Sequence, residues 1–459
     1  MKISVIGAGY VGLTTAACLA HIGHEVFCGE SDLAKLQKLQ NGEMPIFEPH
    51  LEKIVQSARE SCRLRFSSTE EAVDHGEAIF ICVGTPPLPN GEADLSAIER
   101  VARTIAKRAS GYRLIVEKST VPVQTGTQLR KHLGLHSRNG LTYDVASNPE
   151  FLREGSAIDD FLHPDRIVFG VDSSRAAELL RRIYEPVIQQ KFSCPMHADC
   201  PKRADIPVLV TDTCSSELIK HASNSFLAMK ISFINMVADL CEAAGADISQ
   251  VAEGVGLDPR IGPSFLKPGI GFGGFCFPKD LQAFVRIAEK HSCDFSLLRE
   301  VERINQRRVI RFVEKVKKEL WVLQGKIVCV WGLAFKPNTD DVRFAPALEI
   351  IRALLAEGAR VQAYDPKAME PAQKELAAVT YCDDLYEAAK GADAVLLLTE
   401  WEEFQTVDWR RISDLVERAL IIDGRNMLSR DDVVRHGFEY VGIGGVSSEH
   451  ETEPALASV

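Results

Sequence analysis

The 459-residue sequence contains no run that is rich in lysine and arginine. Its 53 basic residues are outnumbered by 64 acidic residues, and the formal net charge is -11. Nucleic-acid-binding proteins usually present a basic patch to the phosphates, so we expect no nucleic-acid partner. A negatively charged protein that binds an anionic ligand must use a few placed cations, helix N-termini and backbone amides.

Long apolar runs are also missing. No stretch approaches the roughly 18 consecutive apolar residues of a membrane-spanning helix, so we expect no membrane association. The N-terminal stretch MKISVIGAGYVGL has no basic segment followed by a long apolar segment. We therefore interpret it as a strand and not as a signal peptide.

Twelve cysteines are present, but their spacing forms no disulfide framework. Without a secretion signal, this pattern favours free thiols in a reducing cytoplasm. Cys194, His197 and Cys200 lie close together in CPMHADC, and Cys214 follows further on. The spacing is not a standard C-x-x-C arrangement and no second pair follows at zinc-finger distance, so we expect no metal site. A structural zinc is the alternative.

The composition, 46% hydrophobic and 25% charged, is typical of a soluble globular protein of two or three domains. Strand and helix patterns alternate from the N-terminus, beginning with an apolar strand at 2–6 and a helix that ends near His21. Further strands are predicted near 78–86, 113–122 and 143–151. This alternation predicts a doubly wound parallel sheet.

Two long helical patterns follow, one from about Thr213 to Gly245 and one over 300–320. A second strand–helix–strand pattern begins near Gly325 and lacks a glycine-rich fingerprint. The predicted fold class is α/β, with two Rossmann-like doubly wound parallel-sheet domains joined by a helical segment. The predicted boundaries are 1–205 for the first sheet domain, 206–322 for the helical segment, 323–440 for the second sheet domain and 441–459 for a disordered tail.

The first strand is followed by G-x-G-x-x-G, formed by Gly7, Gly9 and Gly12, and this motif opens a helix. Such glycines allow a tight turn and a close approach of the backbone to a pyrophosphate at the helix N-terminus. Glu30, at the end of the second strand, would bind ribose hydroxyls and repel a 2′-phosphate. The motif favours NAD over NADP; a glycine turn that serves packing alone is the alternative.

One cysteine stands out in GFGGFCFPKDLQAF. Cys276 follows several glycines and precedes an apolar periodicity that predicts a helix, so it lies at or just before a helix N-terminus. That position and the nearby Lys279 favour the thiolate form. A reactive thiol is the interpretation we adopt, and a buried structural cysteine is the alternative.

Other candidates follow predicted strands or share a helix face. CVGTP (82–86) and EKSTVP (117–122) lie at strand ends, where they are either turns or ligand contacts. Glu150 and Glu154 follow a third strand, and nothing local selects between them. Lys220 and Asn224, four residues apart, share one face of the first long helix; the alternative for Lys220 is a side chain that reaches solvent.

Together these motifs resemble the UDP-glucose/GDP-mannose dehydrogenase family from Met1 to about Asn426. The motifs that carry the resemblance are GAGYVG, VGTP, STVP, NPEFLREG, ELIKHASNSFLAMKISFINM, FLKPGIGFGGFCFPKD and WGLAFKPNTDDVR. The resemblance implies an N-terminal NAD-binding domain, a helical dimerisation segment and a C-terminal UDP-sugar-binding domain. It also implies NAD as cofactor, UDP-glucose as substrate, UDP-glucuronate as product, and a cytoplasmic homodimer.

The implied reaction is a four-electron oxidation of the sugar's primary alcohol. Cys276 would be the nucleophile that forms a thiohemiacetal and then a thioester. Lys220 and Asn224 would stabilise the oxyanion. The resemblance implies that Asp280 and Thr120 organise a water and Lys220.

The same resemblance implies the remaining site residues. Glu154 would assist hydrolysis of the thioester. The implied cofactor-binding residues are Gly7, Gly9, Tyr10, Val11, Gly12, Glu30, Lys35, Gly84, Thr85, Pro86, Ser119, Thr120, Glu154, Lys279 and Arg343. The implied substrate-binding residues are Phe151, Leu152, Glu154, Lys220, Asn224, Arg260, Phe265, Lys267, Gly269, Gly273, Cys276, Lys336 and Arg343.

Two departures from the family pattern stand out. Phe275 occupies the position before the cysteine, where the family usually has a serine, and the stretch 191–205 matches the family poorly. The sequence CFPKD favours UDP-glucose, and GDP-mannose or a UDP-N-acetylhexosamine is the alternative substrate. Alternatives of another class are a non-catalytic nucleotide sensor and a dehydrogenase that transfers one hydride per substrate.

Overall fold

The computed structural model describes residues 1–137, 140–197, 200 and 205–445. The chain divides into two compact units. One comprises Met1–Ser223 and Gln282–Cys293, and the other comprises Asn224–Leu281 and Asp294–Val459, of which the part up to residue 445 is described. Two of the boundaries fall inside helices and the third, between Cys293 and Asp294, falls in a loop, while the predicted domain limits stay a prediction.

The secondary-structure elements alternate along most of the chain. The strands are β1 (Lys2–Ile6), β2 (Glu25–Gly29), β3 (Leu64–Ser67), β4 (Ala78–Ile81), β5 (Tyr112–Glu117), β6 (Thr142–Ser147), β7 (Ile167–Gly170), β8 (Val208–Thr211), β9 (Ile327–Trp331), β10 (Arg360–Tyr364), β11 (Thr380–Tyr381), β12 (Ala394–Leu397), β13 (Leu420–Asp423) and β14 (Glu439–Val441). The helices up to residue 256 are α1 (Tyr10–His21), α2 (Leu33–Asn41), α3 (Leu51–Glu60), α4 (Thr69–His75), α5 (Ser96–Arg108), α6 (Thr125–His136), α7 (Ala157–Leu162), α8 (Ser174–Ile188), α9 (Thr213–Ala244) and α10 (Ile248–Gly256). The later helices are α11 (Cys276–Lys290), α12 (Ser296–Leu320), α13 (Pro346–Ala356), α14 (Met369–Glu375), α15 (Leu385–Ala389), a 3₁₀ turn (Glu402–Gln405), α16 (Trp409–Leu415) and α17 (Arg430–Arg435).

The first unit contains an eight-stranded sheet in the order β3-β2-β1-β4-β5-β6-β7-β8. Every pair is parallel except β6 with β7, which pair antiparallel through Ser147 and Gly170. Strands such as β4 are buried at every residue, as expected of a sheet that helices cover on both faces. The strand order reverses between β1 and β4, and the carboxyl ends of strands at such a switch point are where open α/β sheets bind ligands.

The second unit contains a six-stranded, fully parallel sheet in the order β11-β10-β9-β12-β13-β14. Its core includes the fully buried Trp331, which stacks on Phe404 with ring centroids 5.5 Å apart. The predicted α/β fold class with two such sheets and a helical stretch between them is confirmed.

The long helices begin and end close to the predicted positions. Helix α9 has 32 residues, in agreement with the prediction, and α12 has 25 residues because it begins at Ser296, before the predicted start. The predicted disordered tail is described only as far as residue 445, and within that part the Gly444 amide donates to Glu242 over 2.7 Å. Among the described residues, no helix combines the length and the apolar character that crossing a lipid bilayer requires.

Candidate active site

The glycine-rich turn after β1 has the geometry that a pyrophosphate needs. Gly7 has a φ of 99°, in the region that favours glycine. A Cβ atom at Gly12 would lie 1.7 Å from the carbonyl oxygen of Gly7, so α1 could not pack here with any larger residue. Gly9 is the N-cap of α1, and a Cβ atom there would meet nothing within 4 Å. The N-terminus of α1 is therefore open for a phosphate to approach.

Glu30 lies just beyond β2 and is held firmly. Its carboxylate accepts the amides of Ala8, Ser31 and Asp32 over 2.7–3.1 Å and forms an ion pair with Lys35 at 3.2 Å. Burial alone would raise the pKa of Glu30, but the Asp32 amide and the Lys35 charge outweigh it and hold that pKa below its usual value. An ionised carboxylate at this position suits ribose hydroxyls and disfavours a 2′-phosphate.

Tyr10, on the first turn of α1, is joined to the loop that follows β6. Its hydroxyl donates to Glu48, and the Gly155 amide lies 2.9 Å from the Tyr10 hydroxyl and 2.7 Å from Glu48 Oε2. Glu48 Oε1 also accepts the Ala157 amide at 2.8 Å. Glu48 is buried and was not predicted, because no local pattern distinguishes it from other acidic residues. Val11, next along the helix, packs against the core.

The two predicted strand-end motifs meet beside β1. Ser119 Oγ donates to the Val83 carbonyl over 2.8 Å, and Thr85 Oγ1 donates to the Thr120 carbonyl over 2.8 Å. Gly84 and Pro86 remain exposed. The side-chain bonds tie the two loops together and leave their outer residues accessible at the carboxyl edge of the sheet.

A buried ion pair lies beside these loops in the same unit. Lys220 Nζ, on α9, is 3.0 Å from Glu150 Oε1, and it also lies 5.4 Å from the ring centroid of Phe151. Glu150 Oε2 accepts the Leu152 amide at 2.6 Å. Lys220 therefore does not reach solvent, and the alternative interpretation of its side chain is wrong. Glu150 is therefore a partner of Lys220, and Glu154 is half-buried in the following turn.

Lys118 is a further buried lysine that the sequence did not single out. Its Nζ lies 3.2 Å from Asn148 Oδ1 and 3.4 Å from the Tyr184 hydroxyl. Burial lowers the pKa of Lys118 to about 8, with nearby Glu150 acting in the opposite direction. The EKSTVP motif contained this lysine, but a lysine at a strand end gives no signal of burial.

In the second unit, Cys276 is the first residue of α11, as predicted. Asp280, four residues later, accepts a hydrogen bond from Asn224 Nδ2 over 2.6 Å and forms an ion pair with Lys279 at 2.7 Å. Asp280 is 1% exposed and Lys279 is 6% exposed. A buried carboxylate held by an amide and an ammonium thus lies one turn after a half-buried thiol, which makes this cluster a candidate catalytic site.

The glycine loop before Cys276 is fixed by buried polar side chains. Asn235 Oδ1 accepts the Gly269 amide at 2.9 Å, and Arg308 Nε donates to the Gly269 carbonyl over 3.1 Å. Asn305 accepts the Phe272 amide at 2.8 Å and donates to its carbonyl over 2.9 Å. A Cβ atom at Gly273 would lie 2.3 Å from the Phe344 carbonyl oxygen, so glycine is required for this approach.

Phe275, the residue that departs from the family pattern, lies between two cations. Lys279 Nζ is 5.7 Å from its ring centroid and Arg343 is 4.6 Å from it. The Gly274 amide donates to the Arg343 carbonyl over 3.0 Å. Lys336 is half-buried beside the Phe335 ring. Within the second unit, Phe275, Lys279 and Arg343 thus form one cluster next to Cys276.

The other predicted substrate contacts lie on the surface of the second unit. Arg260 is exposed and pairs with Asp258 at 2.6 Å. Lys267 is exposed, and Phe265 has a φ of 65° and a ring centroid 6.3 Å from that of Phe277. Their roles remain predictions.

Comparisons with known proteins cover nearly the whole chain. Sequence profiles of the UDP-glucose/GDP-mannose dehydrogenase family match in three parts: the NAD binding domain over 1–188, the central domain over 214–307 and the UDP binding domain over 329–430. The chain belongs to the UDP-glucose/GDP-mannose dehydrogenase family.

Individual members of the family are similar over their full length. The chain is 44% identical to UDP-glucose 6-dehydrogenase of Rhizobium meliloti (strain 1021), covering 97% of this chain and 99% of that relative. It is also 44% identical to UDP-glucose 6-dehydrogenase TuaD of Bacillus subtilis (strain 168), covering 96% and 93%. The solved UDP-glucose dehydrogenase of Pyrobaculum islandicum superposes with a TM-score of 0.86 at 39% identity, covering 97% and 98%.

Membership of the UDP-glucose/GDP-mannose dehydrogenase family confirms several predictions. The protein is an NAD-dependent oxidoreductase, and its cofactor is NAD. Its C-terminal domain, which matches the UDP binding domain over 329–430, binds a nucleotide sugar. The open N-terminus of α1 and the ionised Glu30 fit that cofactor, while the contact of Gly7, Gly9 and Gly12 with its pyrophosphate stays a prediction.

Proposed function

We propose that this protein oxidises the primary alcohol of UDP-glucose to the carboxylate of UDP-glucuronate. The overall change is R–CH₂OH + 2 NAD⁺ + H₂O → R–COO⁻ + 2 NADH + 3 H⁺. NAD⁺, when bound, accepts a hydride in each of the two oxidations. The observation that carries the proposal is Cys276 at the start of α11, beside the buried Asp280, in a chain that matches UDP-glucose 6-dehydrogenases along nearly its whole length.

Cys276 supplies the step that a simple alcohol dehydrogenase lacks. Its sulfur adds to the carbon of the intermediate aldehyde, and the carbonyl oxygen takes up a proton to give a thiohemiacetal. Loss of the second hydride from carbon, together with the proton of the hydroxyl group, converts this to a thioester. Water then attacks the carbonyl carbon, the C–S bond breaks, and the carboxylate leaves while the thiol is regenerated. The covalent bond keeps the aldehyde from escaping between the two oxidations.

Polar side chains around Cys276 stabilise developing negative charge and transfer protons. Lys220 and Asn224, one turn apart on α9, stabilise the oxyanions that form on the substrate oxygen. Asp280 and Thr120 position a water for proton transfer, and Glu154 assists attack on the thioester. The hydrogen bond from Asn224 to Asp280 supports this assignment, because it fixes the amide and the carboxylate in one orientation.

The nucleotide sugar is held by cations and backbone of the second unit. Lys336 and Arg343 bind the diphosphate and sugar, and the loop with Gly269 and Gly273 follows the nucleotide. Arg343 lies over the Phe275 ring and forms an ion pair with Asp341 at 2.6 Å, and these two contacts hold the guanidinium in one orientation beside the glycine loop. Lys336 and Arg343 supply the local positive charge that a protein of net charge -11 needs in order to bind an anionic substrate.

We propose a cytoplasmic homodimer in which Arg260 reaches the partner's substrate. The proposal is supported by apolar side chains on α9 that remain exposed in the single chain: Phe226, Phe233, Met236 and Leu240. The first, second and fourth of them are seven residues apart, so they recur on one face of the helix. Such a stripe is typical of a helix that pairs with another helix.

The test is the amount of NADH formed from limiting UDP-glucose. We expect two NADH per sugar for the wild type and a loss of more than about 10³-fold in turnover for Cys276→Ser, as for the removal of other covalent nucleophiles. Cys293→Ser, which changes an exposed cysteine, is the matched control and should keep full activity. One NADH per sugar, or full turnover in Cys276→Ser, would contradict the mechanism. NADH from GDP-mannose or a UDP-N-acetylhexosamine but not from UDP-glucose would contradict the substrate.

A further inference from the structure

Two cysteines and two histidines converge outside the dehydrogenase site, in the first unit. Cys194, His197 and Cys200 come from the segment after α8, and His163 is the C-cap of α7. One ligand atom from each of the four lies within 4.8 Å of every other. The sequence showed only the first three, because His163 lies 31 residues before Cys194 and reaches them through the fold.

Three of the six separations between these atoms have the length of an edge of a tetrahedral zinc site, and all six are within 4.8 Å. His163 Nε2 is 3.5 Å from Cys194 Sγ and 3.3 Å from Cys200 Sγ, and Cys194 Sγ is 3.4 Å from His197 Nδ1. With Zn–S bonds of about 2.3 Å and Zn–N bonds of about 2.0–2.1 Å, a tetrahedron has sulfur-to-nitrogen edges of about 3.5 Å. The four side chains therefore surround a space of the size that one zinc ion fills.

The second ring nitrogen of His163 fixes which nitrogen faces the cluster. His163 Nδ1 lies 2.6 Å from Gln190 Oε1, while Gln190 Nε2 donates to the carbonyls of Leu162 and Val187 over 2.9 Å and 2.7 Å. The amide oxygen must accept, so Nδ1 carries the proton and Nε2 directs a lone pair at both sulfurs. Metal-binding histidines are usually oriented by an acceptor in this way.

Hydrogen bonding alone accounts poorly for this arrangement. A single lone pair on His163 Nε2 would have to accept from the thiols of Cys194 and Cys200 at once, and Cys194 also lies beside His197. A cation bound by two thiolates and two neutral imidazoles satisfies all four groups together. The set of two sulfur and two nitrogen ligands selects zinc over magnesium or calcium, which prefer oxygen.

We propose that His163, Cys194, His197 and Cys200 bind one structural Zn²⁺ ion. Four protein ligands leave no open position for a substrate, so the ion is structural and not catalytic. It cross-links the end of α7 to a segment 37 residues away at Cys200. The same segment contacts α1, where His21 Nε2 lies 2.7 Å from the Ser193 carbonyl. The zinc thus holds a segment of the cofactor domain that matches the family pattern poorly.

The experiment measures metal in the full-length protein purified with a thiol reductant and without chelator. We expect about one zinc per chain by inductively coupled plasma mass spectrometry. Cys194→Ser and Cys200→Ser should each lose that zinc, whereas Cys62→Ser, an exposed cysteine of the same unit, should keep it. Gln190→Ala should retain the site but bind zinc about 10- to 100-fold more weakly.

Cobalt gives a readout that needs neither the variants nor enzyme activity. Wild-type protein is stripped of zinc and loaded with Co²⁺. It should then show the intense visible d–d bands of tetrahedral cobalt, and thiolate-to-cobalt charge-transfer bands in the near ultraviolet. Absence of both zinc and cobalt uptake would overturn the proposal. So would a Cys194–Cys200 disulfide in the protein isolated under reducing conditions, or retention of zinc in both cysteine variants. Because none of these outcomes depends on dehydrogenation, they are independent of the proposed function.

Discussion

Lys220 Nζ and Glu150 Oε1 lie 3.0 Å apart, and the two side chains are only 5% and 4% exposed. Burying two charges requires desolvation that their mutual attraction often only offsets, so such a pair is weak support for stability. A lysine kept inside the protein by a carboxylate is better explained by a requirement for its charge at a reacting centre.

The ion pair leads to the first prediction. Lys220→Met should lower kcat by about 10²–10³-fold, because it removes the group proposed to stabilise the oxyanion. Glu150→Gln should also lower kcat, by a smaller factor, since Lys220 then loses the partner that orients it. Steady-state kinetics would measure both. Arg103→Met, which breaks an exposed ion pair with Glu99, is the control and should leave kcat unchanged. Wild-type kcat in Lys220→Met would exclude the proposed role.

Glu30 should determine which dinucleotide is used. Glu30→Gln removes the negative charge that would face a 2′-phosphate, and like-charge contacts disfavour a complex by several kcal/mol, so the preference for NAD over NADP should fall by more than about tenfold. The ratio of kcat/KM for the two cofactors is the measurement. Glu25→Gln, at the other end of β2, removes the same charge away from the turn. An equal change in both variants would contradict a local role for Glu30.

Glu217 should make stability depend on pH. It accepts the amides of Gln124 and Gly126 over 2.6 Å and 2.7 Å at the start of α6. Burial nevertheless raises its pKa to about 7, from an ordinary value near 4.5. Between pH 4.5 and 7 the folded protein holds a proton on Glu217 that the unfolded chain has released. The resulting contribution to the free energy of unfolding is therefore complete below about pH 4.5 and is lost as the pH rises through 7.

The variant Glu217→Gln cannot titrate and tests this directly. The free energy of unfolding of the wild type, relative to the variant, should fall between pH 4.5 and 8 by at most about 3 kcal/mol. Urea denaturation at several pH values would measure it. Glu178→Gln, at an exposed position, should show no such trend relative to the wild type. A difference that grows with pH would have the opposite sign and would refute the assignment.

The exposed stripe on α9 gives the fourth prediction. Phe233 is 49% exposed and Leu240 is 67% exposed in the single chain. Phe233→Glu should convert the dimer into a monomer, because burying an unpaired charge at an apolar interface is strongly unfavourable. Light scattering at micromolar concentration would give the mass. Leu33→Glu, at a side chain that is 77% exposed on α2, is the control and should remain dimeric. A wild type that is itself monomeric would rule the dimer out.

The sequence predicted those parts of the fold and site that depend on local patterns. Strands such as β4 and β12 are continuous apolar runs, and the glycine turn from Gly7 to Gly12 has a fixed spacing, so these could be recognised without a structure. The strands β3, β7, β8 and β11 were not predicted, and β8, for example, is half-exposed. The position of Cys276 at the start of α11 was likewise predicted from the glycines before it and the apolar period after it.

Partners that are distant along the chain could not be predicted in this way. Glu150 and Glu154 stand in one motif, and the packing of α9 is needed to show that Lys220 pairs with Glu150. His163 joins the cysteine segment through the end of α7, and no spacing rule connects them. Asn235, Asn305 and Arg308, which hold the glycine loop, are ordinary polar residues of helical patterns until their burial is known.

The junction at Glu48 has a consequence for how this sequence can vary. One carboxylate binds the Tyr10 hydroxyl and the amides of Gly155 and Ala157, although Tyr10 and Gly155 are 145 residues apart. Loss of the carboxylate would leave a half-buried hydroxyl and two backbone amides without this acceptor. We therefore expect positions 10 and 48 to covary among descendants of this chain. Either both Tyr10 and Glu48 are retained, or both are replaced by another pair of polar residues that can form a hydrogen bond.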